Sequence, residues 1–332
     1  MDTPSLYEKP QQPEEWRPGA AVSGQDFSGR DFTAASLAEM SFTDCRFARA
    51  NLRQGDFSRA VFSGCDFSDA CLQDATLEDS RFRDVSLARA DAAGSFWRRA
   101  ELERVDCRAA DFSRASLQEV RMTAVDWSGI RLARATLRGV RPSMGLADSD
   151  VNMLVCVACD FSGLSLERVQ GELVFFRDGS LENAVLRHCD LPQWIVRQSD
   201  CRKLRLENCR LPRAGFSASD FSGAIFRDCD LSGASLSGAV FHAAELSRVD
   251  LRKAGLAGAD FSGASLREVK AEMADWSHVR LRHARLQGVD LRLADGHGVD
   301  FSVAELKDCR LDELRPTDRE RLAAERFKTA GE

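Results

Sequence analysis

The sequence predicts an all-β fold: a solenoid wound from four-sided coils of about twenty residues. Three observations predict it. Large apolar residues recur at every fifth position, as in Phe27, Phe32, Leu37, Phe42, Phe47, Leu52, Phe57, Phe62, Phe67 and Leu72. The position two before is mostly small or β-branched, as in Cys45, Ala50, Ala60, Cys65, Ala70, Ala75, Val85 and Ala90. The paired pattern keeps phase for about 23 units from Phe27 to Leu137 and about 32 units from Cys156 to Leu311, which is the mark of a repeat architecture.

The spacing excludes the simpler elements. A helix turns about 100° per residue, so five steps set successive large residues about 140° apart and no stripe forms. A flat strand alternates faces at each residue, so an odd period sends alternate large residues to opposite sides. The finer pattern in 229–241 resolves this. Inward candidates come at gaps of two and three: Cys229, Leu231, Ala234, Leu236, Ala239, Phe241. A gap of two keeps both side chains on one face of a short extended piece, and a gap of three with a bend turns a corner. One coil cannot bury its apolar residues, but coils stacked at the strand spacing of about 4.8 Å share a continuous core. A length of 332 residues, which in a globular protein means about two domains, is therefore read as one elongated solenoid.

The units "ANLRQ" (50–54), "ADFSR" (110–114) and "ADFSG" (259–263) resemble the repeat of the pentapeptide repeat family, A-(D/N)-L-x-x. The resemblance covers roughly residues 25–314. It implies a right-handed quadrilateral β-helix and leaves function open, because one fold hosts many functions.

Taken in order, residues 1–21 form a Pro-rich tail holding Tyr7 and Trp16, which either folds over the first coil or extends from it. Residues 22–141 are the first repeat segment. Residues 142–155 break the phase, since Leu137 and Cys156 lie one residue short of a multiple of five, and Pro142 and Gly145 punctuate the stretch. This is either a loop projected from a rigid scaffold, where recognition is commonly carried, or a distorted coil. As a loop it offers Pro142, Met144, Gly145 and Leu146 to a partner, with Val151 free to meet it as well. As a coil it places Leu146 at a large inward position and Met144 two before it. Residues 156–315 are the second repeat segment, weakest where Gly296 takes a core place. The stretch 111–141 resembles 260–290, which sets Trp127 and Trp276 in equivalent inward positions and points to a duplication. Residues 316–332 leave the repeat. Thr317 and Glu320 read as a capping box opening a short helix at about 318–329, with Leu322, Ala323 and Phe327 on one face to cover the open end of the solenoid.

Composition narrows the function classes. There are 46 basic and 52 acidic residues, a net charge of −6, and no basic run. That balance excludes direct nucleic-acid binding and an anionic membrane surface as partners. No apolar stretch reaches the length of a membrane span, about 18 residues. The first twenty residues lack the basic start and apolar core of a secretory leader, so a cytoplasmic location is expected, export without a cleaved leader being the other route.

Ten of the eleven cysteines fall at inward positions, all but Cys71, and read as small hydrophobes. The "CVAC" at 156–159 is a large position followed by a small one, which outweighs a metal or redox reading. Cys189, Cys209 and Cys229 stack in one column as free thiols. The five histidines are scattered, with no partners at a metal-ligand spacing, so no cofactor and no enzyme is expected. The Asp before each Leu or Phe suits corner capping. Asp160, Asp200, Asp220, Asp260 and Asp300 share one column, as do Asp26, Asp66, Asp106 and Asp126. They are either corner caps or an acidic stripe imitating DNA, diluted by Arg202, Arg227, Arg267 and Arg282. The function expected is a non-enzymatic protein–protein interaction scaffold, with Asp160, Asp200, Asp220 and Asp260 and the 142–146 residues as partner contacts. A homodimer is one form that contact takes. The alternatives are a DNA-mimicking, gyrase-binding resistance protein, a role some members of the resembled family have, and an accessory or cargo protein of a bacterial secretion system.

Overall fold

Each five-residue unit uses its backbone in the same way, and that use builds the coil. In the unit starting at Phe47 the ring points inward. The Ala50 amide donates to the Phe47 carbonyl at 2.9 Å and closes a corner, with Arg49 in the left-handed region at φ 60°. The other amides reach neighbouring coils: Phe47 donates to Asp66 at 2.6 Å, Arg49 to Ser68 at 2.9 Å and Asn51 to Arg30 at 2.9 Å. A left-handed residue with a side chain costs about 1–2 kcal/mol. The coil-to-coil ladder offsets that cost at each corner by pairing backbone groups that the thin wall would otherwise leave buried and unmet.

The computed structural model describes residues 16–329, with side chains described through Glu325. Two compact units divide the chain, Met1–Val157 and Ala158–Glu332. Each is a right-handed quadrilateral β-helix. In the first, Ala21–Ser23, Ser41–Thr43, Val61–Ser63, Arg81–Arg83, Glu101–Glu103 and Arg121–Thr123 form one parallel sheet, with Phe42 opposite Phe62 in register. A second face carries Phe96–Arg98, Ser116–Gln118, Thr136–Arg138 and Val155–Val157. In the second unit eight parallel strands run from Ser165–Glu167 to Glu305–Lys307, and Phe175–Arg177 pairs with Ile195–Arg197 on another face. Single parallel bridges tie the remaining sides, as between Asp26 and Arg46 or Asp230 and Asp250. No helix among the described residues is long and apolar enough to cross a membrane.

The inward phase is buried as the spacing requires. Cys229, Leu231, Ala234, Leu236, Ala239 and Phe241 are all core residues. Large side chains at the same corner of successive coils stack: Phe47 on Phe67 at 4.7 Å with planes 8° apart, and Phe241 on Phe261 at 4.6 Å and 3°. These spacings match that of the strands, about 4.8 Å, so the ladder of rings follows the ladder of backbones. Trp127 and Trp276 are both core residues.

The ends are closed differently. Trp16 stacks on Phe32 at 4.9 Å and meets Phe27 and Phe42 edge-on, so it covers the first coil. Tyr7 lies outside the described residues. At the other end an α-helix spans Arg319–Thr329. Its cap is Asp318 and not Thr317: the Asp318 carboxylate accepts from the Glu320 and Arg321 amides at 2.9 and 3.0 Å. The Thr317 hydroxyl is engaged elsewhere, accepting from the Gly298 amide at 3.1 Å. Leu322 is half-buried and Ala323 exposed; the side chain of Phe327 lies outside the described residues.

Replacing Leu231, only 1% exposed, with Lys puts an uncompensated charge into the core and is expected to destabilise the protein by several kcal/mol. Replacing the neighbouring outward Ser232 with Ala should move the melting temperature little. Equal shifts in a thermal melt of the two variants would disprove the inward phase.

Candidate functional site

The phase break is not a projecting loop. Pro142 and Leu146 are both buried, as are Val151 and Leu154, so the stretch 142–155 is a coil built into the first unit. The unit Pro142–Gly145 has four residues and no left-handed corner residue. The deficit passes into the register: Val155 pairs with Thr136, and Leu132 donates to Asp150 at 2.7 Å. Pro142 and Leu146 therefore cannot meet a partner, because both face the core. Met144 is displaced outward and 46% exposed instead of filling the small position two before Leu146. Its carbonyl accepts from the Trp127 indole N–H at 3.1 Å, so the irregular turn satisfies the polar edge of a core tryptophan. Gly145 is half-buried beside it.

The aspartate column is made of corner caps. Asp160, Asp200, Asp220 and Asp260 each accept, through Oδ1, the amide two residues on, at 2.9–3.0 Å. Asp300 does the same for Ser302. Asp200 also receives the Arg202 guanidinium, whose hydrogen bonds hold its carboxyl below the usual carboxylate range. The acids do not run unbroken. Ser180 stands between Asp160 and Asp200, Val240 between Asp220 and Asp260, and Arg280 follows. In the first unit Arg46 and Ser86 interrupt Asp26, Asp66 and Asp106.

Other outward columns pair charge between coils. Arg83 meets Glu103 at 2.9 Å, Arg89 meets Asp69 at 2.7 Å, Arg104 meets Asp84 at 2.6 Å and Arg187 meets Glu207 at 3.0 Å. These pairs are exposed to solvent, which screens them, and each contributes little to stability. Their consequence is a surface of locally balanced charge.

Against that surface a few large apolar side chains stand out. Phe96 is 57% exposed on a strand face. In the second unit Met273 and Leu293 are 55% and 46% exposed, both in left-handed corners at φ 61° and 59°. They are neighbours in one column: Lys253 donates to Glu272, Met273 to Arg292 and Leu293 to Asp312 along successive coils. Earlier members of that column in the second unit are Leu173, 42% exposed at φ 57°, then Gln193, Arg213, Gly233 and Lys253. The five-residue pattern treats these positions as free, so nothing in the spacing marked them.

All eleven cysteines are free thiols, and both ends of "CVAC" are buried inward residues. Burial pushes the Cys65 thiol up to about 11 and raises Cys107 and Cys201 as well, which keeps them protonated and unreactive.

Among the described residues one cluster could hold a metal ion, and its spacing in the sequence did not reveal it. His278 Nε2 lies 2.9 Å from Glu325 Oε2, and His297 Nε2 lies 3.2 Å from the same oxygen. His297 is 2% exposed although its place in the repeat is outward, because the C-terminal helix lies over it. Glu325 Oε1 accepts from Arg321 Nε at 2.9 Å; that bond, followed by the His297 contact, holds the Glu325 carboxyl below its ordinary range.

A sequence profile described as "Pentapeptide repeat region" matches residues 35–112, and one described as "Pentapeptide repeats (8 copies)" matches 199–238, 244–275 and 277–312. No curated protein sequence matches the chain. Among solved structures, a trypsin-treated variant of QnrB1, a plasmid-mediated fluoroquinolone resistance protein, is 17% identical, with 66% of this chain and 88% of that one covered and a TM-score of 0.32. HetL, from the cyanobacterium Nostoc and involved in regulating heterocyst differentiation, is 22% identical, with 88% of each chain covered and a TM-score of 0.14. A pentapeptide repeat protein of the Arabidopsis thaliana thylakoid lumen is 22% identical, with 40% of this chain and 70% of that one covered and a TM-score of 0.16.

The shortened coil separates two substitutions. Met144→Ser should leave the melting temperature nearly unchanged, whereas Leu146→Ser, at a 3% exposed core position, should cost about 2–4 kcal/mol in denaturant unfolding. Similar losses in both would contradict the outward turn of Met144. The capping aspartates set an acid limit. Asp106 and Asp200 have depressed folded-state values, each with an arginine two residues on as the first cause. They therefore contribute stability above the ordinary aspartate pKa of about 4, and lose it as pH falls through the lower folded value. Melting temperature should decline below about pH 4, less so in Arg108→Ala with Arg202→Ala; an identical decline would remove these pairs as a cause.

Proposed function

Since the chain belongs to the pentapeptide repeat family, we propose that it is a non-enzymatic scaffold presenting rigid β-helical faces to a protein partner. The observation that carries this reading is the Met273 and Leu293 pair. Both side chains stand half exposed on adjacent coils, in a corner conformation that disfavours large side chains. Leu173 opens the same column in the second unit, and the four coils between carry Gln193, Arg213, Gly233 and Lys253, so only Met273 and Leu293 form an adjacent apolar pair there. Folding gains nothing from apolar groups there. A protein surface gains a small apolar anchor with a polar rim, the usual anatomy of an interaction hot spot. Glu272 and Arg292, an exposed ion pair at 3.4 Å, supply part of that rim. Phe96 is a second anchor of the same kind on the first unit.

A DNA-mimicking, gyrase-binding role needs a continuous negative face. Ser180, Val240 and Arg280 break the second unit's acidic column, and Arg46 and Ser86 break the first unit's, so that role is the weaker reading.

A photo-crosslinking side chain placed at 273, with the protein expressed in its native host, tests the scaffold reading. We expect one dominant crosslinked protein, and we expect Leu293→Ser to weaken its recovery several-fold with an unchanged melting temperature. Recovery unaffected by Leu293→Ser, or no crosslink from either 273 or 96, would reject these columns as contact surfaces.

A further inference from the structure

We infer that His278, His297 and Glu325 form a binding site for a divalent transition-metal ion of the zinc class, which ties the C-terminal helix to the last coils of the second unit. The three ligand atoms all lie within 4.8 Å of one another. The two nitrogen-to-oxygen separations, 2.9 and 3.2 Å, are close to the roughly 3.3 Å between neighbouring ligands that tetrahedral geometry gives at a metal–ligand distance of about 2.0 Å. The imidazole planes stand at 88° with centroids 5.1 Å apart, so both Nε2 atoms converge without the rings overlapping.

Each ligand is positioned from outside the cluster. Arg321 holds Glu325 Oε1 at 2.9 Å, so Oε2 is the oxygen turned to the imidazoles. The His297 backbone amide donates to Asp295 Oδ1 at 3.0 Å, and its Nδ1 accepts the Asp318 amide at 3.1 Å. The His278 ring lies over Gly298, where a Cβ would come within 2.4 Å of Nδ1, and the φ of +70° there also favours glycine. A side chain at 298 would close the cradle.

Two imidazoles and a carboxylate suit zinc and its neighbours better than magnesium or calcium, which take oxygen ligands. Three protein ligands leave a coordination position for water or for a group on a partner. The proton balance sets the affinity. With the Asp318 amide on Nδ1, the ring proton of neutral His297 is on Nε2, shared with Glu325. A metal ion takes the Nε2 lone pair, so that proton passes to Nδ1 and the Asp318 N–H must turn away. Losing that hydrogen bond and leaving the amide unmet weakens binding by about ten- to a hundredfold. Micromolar affinity is expected, well short of that of a closed structural zinc site.

The test uses the full chain stripped with a chelator and titrated with zinc chloride, then cobalt chloride, by calorimetry and visible absorption. We expect one saturable equivalent with micromolar Kd and a raised melting temperature. His278→Ala and Glu325→Gln, both on partly exposed side chains, should each weaken binding at least tenfold. In imidazole nitrogen NMR, His297 should change from the Nε2–H to the Nδ1–H tautomer on saturation. No saturable binding up to millimolar zinc, affinity unchanged in both variants, or an unchanged His297 tautomer at saturation would each overturn the site.

Discussion

Everything in this chain depends on the hydrogen bonds between one coil and the next. Within a unit only a single corner bond is local, as from Ala50 to Phe47, and the remaining backbone groups are met about twenty residues away. This arrangement explains why the period is held so strictly. A residue gained or lost has to be absorbed at one corner, as at Pro142–Gly145, where the pairing offset drops to 19 (Val155 against Thr136) before the regular register resumes. Unabsorbed, it would turn the following side chains to the wrong face. It also explains why costly left-handed corners occur at Arg, Glu, Met and Leu as well as at Gly and Asp. The corner geometry is imposed by the stack, and local preference is overridden.

The interior follows from the same constraint. Four large side chains per coil leave room for only small ones between them, so Cys serves as an alternative to Ala and Val, and its thiol donates weakly to carbonyls of the wall, as Cys209 does to Leu186 at 3.4 Å. Tryptophan strains this scheme because its N–H needs a partner. Trp97 finds the Ser95 hydroxyl at 2.7 Å, and Trp127 finds the Met144 carbonyl at the shortened turn. The indole N–H of Trp276 is buried with no partner among the described residues. The irregular turn at 142–145 thus meets a need that the regular repeat at Trp276 leaves unmet.

How much was legible in the sequence follows from which features lie in the repeat. The coil, its inward residues and the capping role of the aspartates could be read because each is stated dozens of times. The fate of the phase break could not. A missing residue is visible in the spacing, but whether the chain bulges out or closes a shorter corner is decided by the coils above and below, which bury Leu146 and leave Met144 outside. The helix cap was misread by one residue because Thr317 and Asp318 are both good caps, and the Gly298 amide claims the threonine. The histidine and glutamate cluster was invisible for a stronger reason. His278 and His297 come together through coil stacking, and Glu325 arrives only when a helix that is not part of the repeat folds back over it.

A fold this regular makes departures from it informative. Most outward positions carry residues that folding explains: a carboxylate that caps a corner, or an arginine that pairs with the coil beside it. Met273, Leu293 and His297 have no such account, and all three lie within the last coils of the second unit. Met273 and Leu293 are apolar where water is the neighbour. His297 is buried at a place the repeat assigns to the surface. In a globular domain single residues of this kind would be unremarkable, since packing there is idiosyncratic at every position. In a solenoid each column is its own control. The corner takes Gln193, Arg213 and Lys253 but also Leu173, so an apolar side chain there is not by itself unusual. What sets Met273 and Leu293 apart is that they are adjacent on successive coils, and that adjacency is what the proposed contact surface rests on.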